Sequence, residues 1–128
     1  MKIPIIIILL LSCAVCSAET KSNLDGYAVF HDLKKEIAKE KAEILAREDF
    51  KNGIYRILVY GKRPIPKYDS YAQYLAKYGI DCYPIAGCIV SDGIIGAAEG
   101  YNGVIKPLLV QKFGTDIFQN YKNQNENH

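Results

Sequence analysis

The sequence predicts a small single-domain α/β protein, with α+β as the alternative arrangement of the same elements. Three observations point there. A charged amphipathic stretch precedes residue 50, two short β-branched runs flank a tyrosine-rich helical segment, and a long glycine-bearing helical pattern follows residue 91.

The chain opens with Lys2, an apolar run over residues 3–11 and small residues up to Ala18, before the polar "ETKSN". A charged start, a short apolar stretch and a small-residue cleavage site make an export signal, so residues 1–18 read as a signal peptide and 19–119 as the folded domain. The apolar run falls short of the roughly 20 residues of a membrane span, and no later segment is longer, so no transmembrane helix is expected. "LLSC" at residues 10–13 also has the order of a lipidation signal. A membrane-anchored lipoprotein with lipidated Cys13 is therefore the alternative to a secreted or periplasmic protein.

Without the signal the chain carries 15 basic and 14 acidic residues. That near-neutral balance argues against nucleic acid as a partner, since such affinity rests on a basic face that releases counterions.

Residues 29–50, "VFHDLKKEIAKEKAEILAREDF", place Phe30, Leu33, Ile37, Ile44 and Leu45 in helical rhythm with Lys and Glu opposite, which predicts an amphipathic helix closed by Asn52 and Gly53. "IYRILVY" at 54–60 is β-branched and aromatic and reads as a largely buried strand. The loop "GKRPIPKYDS" brings three cations, Lys62, Arg63 and Lys67, before a helix "YAQYLAKY" that Asp69 or Ser70 caps. From Ile80 a second strand runs through "IDCYPIAGCIV", interrupted by Pro84 and Gly87. Strand, helix and strand in that order predict a parallel crossover.

The last helix, from about Asp92 to Phe113, sets Gly93, Gly96, Gly100 and Gly103 on one side, with Ser91 or Asp92 as its cap. Each interior glycine costs about 1 kcal/mol relative to alanine, so something must close on that bare face. The closing surface is the protein's own sheet or first helix, or else a second copy, which makes Gly96 and Gly100 candidates for a partner surface and homo-oligomer contact. Pro107 predicts a kink near Asn102 and Gly103, or a break into two helices. Residues 120–128 are polar and read as a disordered tail.

Cys82 and Cys88 are the only cysteines beyond the signal. In a straight strand six residues span about 20 Å, so the two sulfurs could not meet, and both would be free with Cys88 a small core residue. A turn at Pro84 and Gly87 would instead permit a Cys82–Cys88 disulfide, the usual state of a cysteine pair in an exported domain. C-x5-C is not a zinc spacing, and no metal or cofactor is expected. As a nucleophile Cys88 lacks an evident base, because His31 and His128 are the only histidines.

The second candidate is the loop where Lys62, Arg63 and Lys67 meet Tyr71, at the carboxyl end of the first strand, where open α/β sheets hold small anionic ligands. The alternative is tyrosines half-buried in the core beside ordinary surface cations. The expectation drawn from these residues is an exported, non-catalytic domain that binds an unknown protein or small anionic ligand. The alternatives are a small thiol-dependent enzyme or redox protein centred on Cys88, and a lipid-anchored form of the binding domain.

Overall fold

The computed structural model describes residues 28–61 and 69–127, and the expected signal peptide lies outside them. Its elements run α1 (Ala28–His31), α2 (Lys35–Lys51), β1 (Arg56–Tyr60), α3 (Ser70–Ala76), β2 (Asp81–Ala86), α4 (Asp92–Phe113) and α5 (Ile117–Asn125). The described residues thus form one small domain of mixed helix and strand, with five helices around a two-stranded parallel sheet.

Local chemistry sets the boundaries. The Asp69 carboxylate accepts from the backbone N–H of Tyr71 and Ala72 at the start of α3, and Ser91 Oγ accepts from Ile94 N at the start of α4. These caps satisfy donors that the first helical turn leaves unpaired. Gly114 ends α4 with φ of 72°, the left-handed conformation that favours glycine.

α2 and α4 form the principal helix pair, and their contact rests on small residues. Ala38, Ala42 and Ala46 are fully buried along one face of α2, and Gly93, Gly96 and Gly100 are buried along the facing stripe of α4. A Cβ at Gly93 would overlap the carbonyl oxygen of Phe30, one at Gly96 that of Lys35, and one at Gly100 that of Lys39. The bare glycine face is therefore covered by the backbone of α1 and α2, so Gly96 and Gly100 are not open to a second chain. Gly103 differs: it is exposed, with nothing near its Cβ position.

This close approach corrects the stripe expected for the first helix. Ile37 and Ile44 are exposed, at 44% and 59%, because alanine rather than isoleucine permits backbone-to-backbone contact. Phe30 is buried as expected, while Leu33 and Leu45 lie half-buried against the core. α4 also runs unbroken through Pro107. The carbonyl that Pro107 cannot donate to is that of exposed Gly103, where solvent can reach it.

The other side of α4 meets β1. There the Asn102 side chain accepts from Leu58 N at 2.8 Å and donates to Leu58 O at 2.8 Å, so one amide imitates a neighbouring strand and closes an otherwise open sheet edge. Beneath it, fully buried Tyr101 donates to Asp49 Oδ2 at 2.6 Å. Burial holds the Asp49 carboxyl above its ordinary pKa, opposed by that hydrogen bond and by the charge of Arg56.

β2 pairs with β1 from Arg56↔Asp81 onward, with a register shift between Val59↔Pro84 and Tyr60↔Ala86 that skips Ile85 of β2. Pro84 is tolerated inside β2 because a two-stranded sheet asks for only one edge of it. The strand stops at Ala86, and Gly87, Cys88 and Ile89 are all exposed, Ile89 at 78%. The expectation of a strand continuing through a core Cys88 is thereby overturned.

α5 overturns another. The segment expected as a disordered tail from residue 120 is helical through Asn125, capped by Asp116 accepting from Gln119 N at 3.0 Å. Ile117 and Phe118 anchor it in the core, and Tyr121 holds it to α3.

Candidate functional site

The tyrosines of α3 are spaced so that one face of a short helix presents several rings. Tyr71 and Tyr74 each pack against Tyr121 of α5, with centroids 4.9 and 5.1 Å apart, and Tyr74 meets Tyr78, which in turn meets Phe113 of α4. Hydrogen bonds pin the same contact. Tyr74 OH donates to Ile117 O at 2.8 Å, and Ser70 Oγ shares a 2.6 Å hydrogen bond with Tyr121 OH. Burial pushes the Tyr71 phenol up to about 12, so it remains neutral through the physiological range.

Two members of this cluster, Tyr71 and Tyr121, line an open groove of about 830 Å³ between α4 and α5. Pro107 and Val110 of α4 and Phe118 of α5 make its apolar wall, Lys106 and Lys122 bring cationic groups to it, and Asp116 brings a carboxylate. Its size falls within the range of small-molecule sites, which are mostly apolar with a few placed polar groups.

Lys106 is the unusual member. Its Nζ stands 5.4 Å from the centre of the Phe118 ring, and among the described residues no carboxylate lies within 4 Å of it. Burial lowers its pKa and the like charge of Lys122 lowers it further, while Asp116 and Cys82 act in the opposite sense. Asp116 is already engaged as the cap of α5. The groove therefore holds a partly desolvated ammonium group, with the Asp116 carboxylate in the same lining but not within 4 Å of it.

The residues singled out from the sequence distribute unevenly. Tyr71 lines the groove, half-buried as its helical spacing suggested. Lys62, Arg63 and Lys67 lie outside the described residues. Cys82 and Cys88 are both free, so the disulfide is not formed. Cys82 is buried in β2 and its thiol is pushed up to about 11, chiefly by that burial, whereas Cys88 is exposed. His31 Nδ1 lies 3.5 Å from Asp32 Oδ1. Among the described residues no cluster of His, Cys, Asp and Glu could hold a metal ion, and no helix is long and apolar enough to cross a membrane.

Lys106, Val110 and Lys122 were not singled out from the sequence, nor was Phe118 as a site residue. They come from two helices separated by a glycine cap, and only the folding of α5 onto α3 brings them together. The signal that was available was Asp116 as a helix cap, followed by Ile117, Phe118 and Tyr121 at helical spacing.

No family model, curated protein or solved structure matches this chain, so its reading rests on its own residues.

Proposed function

We propose that the protein is an exported, non-catalytic binding domain whose ligand site is the groove between α4 and α5. The observation that carries this reading is the groove itself: an apolar and aromatic wall of ligand-binding size beside a partly buried lysine that lacks a close counter-charge. Export is the reading of residues 1–18, and retention on a membrane through Cys13 is its variant. Mass spectrometry of the protein from its native host separates the two, since a first residue at Glu19 contradicts lipidation.

A fragment screen followed by backbone NMR shifts tests the groove. Ligands are expected to perturb Val110, Phe118 and Tyr121 together, and Val110→Trp, which fills the groove, is expected to abolish those shifts. Hits that perturb only other surfaces would overturn the assignment.

One observation favours thiol chemistry as a second reading, namely that Cys88 is exposed and free a few residues before the α4 N-terminus. Its test is alkylation at mildly acidic pH. A rate far above that of free cysteine would make this reading the leading one.

A further inference from the structure

The geometry points to a medium-chain carboxylate as the groove's ligand, its headgroup held between the ammonium groups of Lys106 and Lys122 and its apolar body lying along Pro107, Val110 and Phe118. This inference rests on the reading of the groove as the binding site and names the chemistry that the site selects.

Charge complementarity is the first argument. Both lysines line the groove, and the charge of Lys122 disfavours that of Lys106. Asp116 also lines the groove and caps α5 through the Gln119 N–H, so two cationic groups there face one carboxylate. An anion entering the groove gains two charge-assisted contacts and relieves the repulsion between the lysines.

Shape is the second argument. The groove is open rather than enclosed, and Pro107, Val110, Phe118 and the Tyr71 and Tyr121 rings give it an apolar face beside the polar Gln111 and Gln119. A compact hydrophilic anion such as inorganic phosphate would leave that wall exposed to water, whereas an alkyl chain covers it. A carboxylate fits two ammonium groups acting as point charges. The Lys106 ammonium stands over the Phe118 ring, so the charged group and the apolar wall meet at one point of the groove.

The test uses the full mature chain and three probes of equal chain length below their micellar concentrations: dodecanoate, dodecanol and dodecyltrimethylammonium. Calorimetry and NMR shifts are read together. Dodecanoate is expected to bind with shifts at Val110, Phe118 and Tyr121, at least tenfold more tightly than the alcohol, and the cationic probe is expected not to bind there. Lys106→Gln is expected to weaken dodecanoate about tenfold, as loss of one charge-assisted hydrogen bond implies, and to leave the alcohol unaffected. Equal binding of all three probes in the groove would overturn the anion assignment while leaving the groove as the site. Dodecanoate that perturbs no groove residue would overturn the inference outright, and the fragment screen then decides the broader reading separately.

Discussion

Replacing Gly96 by alanine sets two opposed effects against each other within one methyl group. On helix propensity alone the change should stabilise α4 by up to about 1 kcal/mol. The added Cβ, however, would overlap the Lys35 carbonyl oxygen and lie 3.0 Å from its carbon and 3.1 Å from its Cα. These are backbone atoms of α2, so no side chain can rotate away, and the helices must separate. Separation loosens Ala38, Ala42 and Ala46 and strains the buried Tyr101–Asp49 hydrogen bond. Overpacking of this kind costs about 1–3 kcal/mol, which leaves a net loss of up to about 2 kcal/mol after the full propensity gain. Gly103→Ala in the same helix meets nothing within 4 Å and should keep most of the gain. Urea denaturation followed by circular dichroism reads both changes. The midpoint for Gly96→Ala is expected to fall by about 1 M and that for Gly103→Ala to rise slightly, at an unchanged slope. Shifts of the same sign would refute the claim that glycine is required at the α2–α4 contact.

Three further outcomes are expected. Asn102→Ala removes both hydrogen bonds to Leu58 and uncovers the β1 edge, so it should cost about 1–3 kcal/mol in urea denaturation and raise the tendency to aggregate in light scattering. With a thiol reagent the native protein should show one accessible cysteine, Cys88, and a second, Cys82, only on unfolding, with no change on adding reductant; thiols seen only after reduction would contradict the free pair. Lys106 faces Lys122 and Asp116 around α5 and Cys82 from β2, and its folded pKa lies below the ordinary 10.5. In the window between that lowered value and 10.5 the unfolded chain binds more protons, so stability relative to Lys106→Gln should rise with pH; a fall would give the wrong sign.

The parts of the fold legible in the sequence are those set by neighbouring residues. Asp69 and Ser91 cap the helices they precede, because a cap is a contact across two or three residues. The spacing of Gly93, Gly96 and Gly100 showed a face that needed covering. The first helix was among the surfaces expected to cover it, but its contact residues were hidden, since periodicity weighted Ile37 and Ile44 above the alanines that the close backbone approach selects. The same weighting extended β2 through Ile89 and Val90, where Gly87 instead turns the chain into solvent.

The candidate groove was least legible. Its polar α5 looks unable to fold alone, and it is held by a cap, two buried side chains and Tyr121 against rings that lie far away in sequence. Tyr71 was the one groove residue named from the sequence as a binding candidate, and it drew notice for its neighbouring cations rather than for Lys106.

Intermolecular NOEs between the mature protein and bound dodecanoate test the groove most directly. The account predicts contacts from the chain methylenes to the Phe118 ring and the Val110 methyls, with the carbons nearest the carboxylate close to the Lys106 methylenes. Contacts confined to the exposed Ile37 and Ile44 of α2 would contradict it.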